Sequence, residues 1–122
     1  MKLFIDILFR YVPFFFVYSA IFYLSSRTVS ELPSDIPDII PHFIEYFVLS
    51  FLFMRIVRSV EKKNILLSLI FLLLLAVLDE VHQIYVPTRI FSMKDVLVDS
   101  TGIIAGLALY KSKFLNNIKF LK

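Results

Sequence analysis

The chain packs 59% hydrophobic residues into 122 positions, with a mean hydropathy of +0.83. A soluble fold of that size lacks the polar surface to cover such a core, so the composition points to one small domain in lipid. A formal charge of +3 without a basic soluble face excludes a nucleic-acid footprint and fits basic loops against anionic lipid, and the lack of cysteine excludes disulfides, thiolate metal sites and cysteine nucleophiles.

A hydrocarbon core needs roughly 20 mostly apolar residues per helix. The first span is expected over 11–27, opening after Arg10 with Pro13 in its first turn, where a missing N–H is tolerated; residues 2–9 read as an interfacial stretch. No small-x-small cleavage site follows the apolar run, so this is read as an uncleaved helix rather than a signal peptide. A polar loop with Pro33, Pro37 and Pro41 leads into a second span over 40–57. A basic turn follows, carrying Arg55, Arg58, Lys62 and Lys63. The uninterrupted apolar part of the third segment, 65–78, is too short to cross, so a span over 65–85 must run on through Asp79-Glu80-Val81-His82-Gln83. The fourth span, over 94–111, likewise takes in Asp95 and the interior Asp99. The tail, with Phe114, Leu115, Ile118 and Phe120 among lysines, reads as an interfacial segment.

Four spans place Lys2, Arg10, Arg55, Arg58, Lys62, Lys63, Lys111, Lys113, Lys119 and Lys122 on one side, and Arg27, Arg89 and Lys94 on the other. The lysine and arginine bias therefore predicts an all-α, four-helix transmembrane bundle with N- and C-termini cytoplasmic. His42 and Glu45 then open the second helix from outside, Asp79–Gln83 closes the third, and Asp95 and Asp99 open the fourth. Ionisable groups at membrane depth are expensive, so this convergence on one side marks a functional site. His42 with Glu45, Asp79 with Gln83, and Asp95 with Asp99 each share a helix face by spacing. Gly102 and Gly106 form a small-xxx-small strip on nearly the same side as the two aspartates, which turns the acids toward a neighbouring helix.

Simpler roles compete for several of these residues. Asp95 suits the positive end of a helix dipole, His42 suits the interface, Arg89 suits a carboxylate or a lipid phosphate, and Asp6 with Arg10 is a surface pair. For adjacent Asp79 and Glu80 the simple role is weaker, because each costs up to about 3 kcal/mol at the centre of a span and less near its ends. Arg89 and His42 are the expected compensating charges.

The run Asp79-Glu80-Val81-His82-Gln83, followed by Pro87, Arg89, Ser92, Asp95, Gly102 and Gly106, resembles the VanZ-like membrane family, whose signature reads approximately D-E-x-x-Q, P-x-R, then D-x-x-x-N-x-x-G-x-x-x-G. Upstream, residues 38–47 resemble that family's D-K-x-x-H-x-x-x-Y segment through Asp38, His42 and Tyr46. Ile39 replaces the usual Lys and Asp99 the usual Asn. The resemblance implies a multi-pass protein of the bacterial plasma membrane, linked through the family's namesake to low-level resistance to the glycopeptide teicoplanin.

The expected partner is a membrane lipid or lipid-linked envelope precursor, bound through Gln83, Arg89, Asp95, Asp99 and Glu45. The competing reading is an intramembrane hydrolase or transferase on lipid-linked head groups, with Glu80, His42 and Asp79 as catalytic candidates. Asp79, Glu80, Asp95, Asp99 and His42 are also a donor set suited to a hard divalent cation, which the sequence permits but does not require. A proton- or ion-coupled transporter, as a homo-oligomer, is disfavoured by an almost purely apolar cytoplasmic half.

Overall fold

The computed structural model describes residues 1–28 and 37–121, and of residues 118–121 the backbone alone. The expected proline-rich loop, with Pro33, lies largely outside the described residues. The described residues form four helices: α1 (Lys2–Ser25), α2 (Ile39–Val57), α3 (Lys62–Gln83) and α4 (Met93–Leu121). There is no strand among them. Side chains that meet across helices fix an up-and-down order. The start of α1 lies by the end of α2 through Asp6 and Arg58, 3.6 Å apart. The start of α2 lies by the start of α4 through His42 and Asp99. The ends of α1 and α3 meet where Phe22 stacks on His82, with ring centroids 4.4 Å apart.

Three helices, α1, α2 and α3, are long and apolar enough to cross a membrane. The fourth is not, since acids open it and lysines close it; Asp99, Gly102 and Gly106 on its inner face are covered by protein. Gly102 and Gly106 carry that contact. A Cβ on Gly102 would fall 2.5 Å from the Phe43 carbonyl oxygen, and one on Gly106 would fall 2.5 Å from that of Phe47 and collide with the Ser50 hydroxyl. The backbones of α2 and α4 therefore touch where a side chain would hold them apart. Around this seam Tyr46, Leu49, Met54, Leu72 and Ile103 are fully buried.

Two sequence expectations are corrected. The first helix starts at Lys2 and not at residue 11, which puts Pro13 in its interior rather than its first turn. A proline there leaves the carbonyl four residues earlier without its helical donor. That carbonyl belongs to Phe9, and Arg55 of α2 donates to it at 3.2 Å. The helix is thus sustained by a tertiary partner invisible to local pattern. The tail is also continuous with α4, which at 29 residues is about 43 Å long. Its last turns outrun a hydrocarbon core of about 30 Å. The side chains of Ile118 and Phe120 lie outside the described residues. At the other helix ends, α3 stops at Gln83, so Ile84 and Tyr85 belong to the following turn. Asp6 and Arg10 pair at 2.8 Å, one helical turn apart.

Gly106→Ala should lower the melting temperature in detergent by the equivalent of about 1–3 kcal/mol, whereas Ala108→Leu, on the exposed face of α4, should leave it unchanged. Equal melting of parent and Gly106→Ala would refute the close backbone contact. Arg55→Ala should destabilise the parent more than it destabilises a Pro13→Ala background, where a restored N–H serves the Phe9 carbonyl. A double-mutant cycle reads this coupling, and strict additivity would contradict it. Because the chain has no cysteine, single cysteines report sidedness directly: Ile90→Cys should react with an impermeant maleimide in intact cells and Lys63→Cys only after lysis. The reverse pattern would invert the topology inferred from charge.

Candidate polar site at the end of the bundle

Where α2 and α4 begin and α3 ends, the helices enclose a cluster of ionisable and amide side chains. Glu80 and Asp99 are 0% exposed, Gln83 2% and Asp79 9%. Among these, the positions of Asp79, Glu80 and Gln83 follow from helical spacing: one turn of α3 carries all three inward. His42 and Glu45, on the first turns of α2, and Asp95, on the first turn of α4, are partly buried and form the margin.

His42 is the centre of this arrangement. Its Nδ1 lies 2.9 Å from Asp99 Oδ1, a hydrogen-bond distance, while its Nε2 lies 3.6 Å from Asp95 Oδ2, which is too long for one. The imidazole is therefore anchored by a buried carboxylate and faces a second, more exposed one. Asp95 and Asp99, four residues apart, reach the ring from the same face of α4. The close α2–α4 seam two turns further along is what brings them within reach.

Glu80 is held differently. Its Oε2 accepts the backbone N–H of Ser92 at 3.0 Å. Ser92 precedes α4 and its hydroxyl accepts the N–H of Asp95 at 3.2 Å, which makes it the helix N-cap. In a reciprocal capping box the carboxylate three residues into the helix would return to the cap's own N–H. Here Glu80 of α3 takes that N–H, so Asp95 is left to face His42. The simple dipole role and the site role of Asp95 are thus not exclusive: it sits in the first turn of α4 and beside the imidazole.

Arg89 departs from expectation. As a compensating charge it acts on Asp79 and Glu45 only at a distance: its Nε donates to the amide oxygen of Gln83 at 3.3 Å, and among the described residues no carboxylate lies within ion-pair distance of it. The reason lies in the turn between α3 and α4. Thr88 has φ 68°, and the next N–H, that of Arg89, bonds to the Val86 carbonyl at 3.2 Å. This tight reversal folds the guanidinium back over the end of α3, within reach of Gln83 rather than of the deeper acids.

Three buried polar atoms have no hydrogen-bond partner among the described residues, Glu80 Oε1, Asp99 Oδ2 and the Tyr46 hydroxyl, while the Ser25 hydroxyl lies toward Asp79. Orphaned buried groups of this kind are uncommon and call for an explanation. Donor atoms of His42, Glu80 and Asp99 also lie within 4.8 Å of one another. Asp79 is buried beside the cluster but contributes no donor to that group. Glu45 borders a shallow groove walled by Ile40, Pro41 and Ile44 on the lipid-facing side of α2.

Sequence reasoning gave Tyr46 and Ser92 only as motif residues, with no role in the site, and left His82 undistinguished from the acids around it. Tyr46 is one helical turn past His42, a spacing that would have placed it on the same face. Ser92 has the Ser-x-x-Asp pattern of an N-cap, which would have located the start of α4. His82 lies on the α1-facing side of α3, turned away from Glu80 though near Asp79, stacked on Phe22 and sharing a hydrogen bond of 3.0 Å with the Ser26 hydroxyl. Its role is to tie α1 to α3, and nothing in its local sequence separates it from the acids around it.

No curated protein and no solved structure matches the chain. A family model described as VanZ/LLP1 matches residues 4–116, which takes in the whole polar cluster and the turn that carries Arg89, and the chain belongs to the VanZ/LLP1 family.

Proposed function

We propose that the protein resides in the bacterial plasma membrane and binds the anionic head group of a lipid or lipid-linked envelope precursor at the outward end of its helices. The observation that carries this reading is the pairing of a sealed polar cluster with Arg89 at its mouth. Arg89 is oriented by Gln83 and has no carboxylate partner among the described residues. A guanidinium so placed suits a phosphate, which it can engage through its remaining N–H groups. Glu45, Asp95 and His42 line the same margin and suit hydroxyl or amide groups of a sugar or peptide. The apolar groove of Ile40, Pro41 and Ile44 beside Glu45 suits an acyl chain entering from the lipid. Binding an envelope precursor at this depth would also place the protein where glycopeptides such as teicoplanin act, and that is the physiological role proposed.

The His42–Asp99 pair favours a second reading, an intramembrane hydrolase or transferase acting on lipid-linked head groups. A histidine oriented by a buried carboxylate is the usual form of a general base, and Glu80 and Asp79 stand behind it.

The two readings separate on substitution. In nanodiscs containing phosphate-bearing envelope lipids, Arg89→Ala should weaken lipid binding by roughly tenfold or more, the loss expected for a hydrogen-bonded charge, while Glu80→Gln retains most of it. Unchanged binding by Arg89→Ala would end the head-group reading. Conversion of the lipid by the parent, abolished in Glu80→Gln with binding intact, would establish the enzyme. In a susceptible host at matched membrane levels, the parent should raise tolerance to teicoplanin and Arg89→Ala should not; protection by both would remove Arg89 from the role.

A further inference from the structure

The geometry points to a binding site for one divalent transition cation, of the manganese or zinc kind, formed by His42, Glu80 and Asp99. One imidazole nitrogen and two carboxylate oxygens are a mixed donor set that such ions accept. Two ligands of one ion at about 2.1 Å are separated by at most about 4.2 Å. The three donors here, all within 4.8 Å of one another, need only a small side-chain movement to meet that limit. The 2.9 Å between His42 Nδ1 and Asp99 Oδ1 is already close to the spacing of neighbouring ligands on an octahedral ion, about 3.0 Å.

A second observation is independent of this spacing. Glu80 and Asp99 are both wholly buried, and each keeps one oxygen, Oε1 and Oδ2 respectively, without a hydrogen-bond partner among the described residues. Two carboxylates sealed in a bundle that lipid surrounds need neutralising charge; Arg89 is turned to Gln83, and His42, 2.9 Å from Asp99, can balance only one of the two. A dication matches their two negative charges, and the small side-chain rotation that closes the site can turn either orphaned oxygen toward the ion. With Nδ1 on the ion, Nε2–H faces Asp95, now 3.6 Å away. That is the arrangement in which a carboxylate behind a ligand histidine fixes the ring. Asp79, without a donor in the group, stays outside the coordination set. The site does not depend on the lipid reading, since it can be loaded with no lipid ligand present.

The test uses the full chain, purified in detergent and stripped with chelator. Titration with Mn2+ or Zn2+ alone should show one ion per chain, with a melting temperature that climbs with metal concentration, as binding to the folded state requires. Bound Mn2+ should show a nitrogen coupling from His42 by pulsed electron paramagnetic resonance. Glu80→Gln and Asp99→Asn should weaken binding by roughly tenfold or more, and Asp6→Asn at the opposite end of the bundle should not change it. A parent that takes up neither ion at millimolar concentration overturns the proposal whether or not the variants fold. So does bound Mn2+ without nitrogen coupling, or binding by folded Glu80→Gln and Asp99→Asn as tight as that of the parent.

Discussion

The contact of α2 with α4 through Gly102 and Gly106 sets the geometry on which the polar cluster depends. Lipid tails are as apolar as leucine, so helices in a bilayer gain little from burying apolar surface against one another and associate through close packing and polar contacts. With no side chain at these two positions, the backbone of α4 lies against the carbonyls of Phe43 and Phe47. From that registration the rest follows over two turns of helix: Asp99 arrives at His42, Asp95 stands beside the ring, and Ser92 reaches Glu80 of α3. A wider α2–α4 separation would break both contacts of His42 together. The same approach withdraws Asp99 from lipid, while Leu97 and Ile104 on the other face of α4 stay exposed.

The all-helical architecture could be read from the chain because lipid leaves a backbone few alternatives, and the glycine strip identified the tightest seam for the same reason. The gathering of His42, Asp79, Glu80, Asp95 and Asp99 at one end also follows from antiparallel order and the shortness of the apolar runs. What could not be read depends on partners distant in sequence. Pro13 resembles a helix start until Arg55 is seen to satisfy the carbonyl it leaves open. Arg89 looks like a direct ion-pair partner for adjacent acids until the turn at Thr88 is seen to set it on Gln83, from which it reaches Asp79 only through space. His82, in the midst of the acidic run, faces α1, and only the rotation of α3 within the bundle separates it from Glu80. Periodicity gives a face; it does not say which neighbour that face meets.

The two ends of the bundle solve the problem of charge in opposite ways. At the end carrying Asp6, Arg10, Arg55 and Arg58, ion pairs are partly exposed and arginines cap carbonyls, an arrangement that water and lipid phosphates readily support. At the other end the acids outnumber nearby bases and are withdrawn from solvent. Such an arrangement adds little to stability, since well-packed apolar residues would serve a bundle at least as well. The imbalance is therefore not a stabilising device, and Asp99, wholly buried, adds one more acid to the set.

The turn that carries Arg89 shows how such a site is kept ready. Thr88 is β-branched, yet it occupies the left-handed region at φ 68°, where glycine would be unstrained. Backbone strain of this kind costs on the order of 1–3 kcal/mol and persists only when its surroundings hold it in place. A glycine at this position would relieve the strain but give the loop many more conformations to lose when a ligand arrives. With threonine, that conformational restriction is imposed during folding, so the guanidinium is carried by a stiff segment.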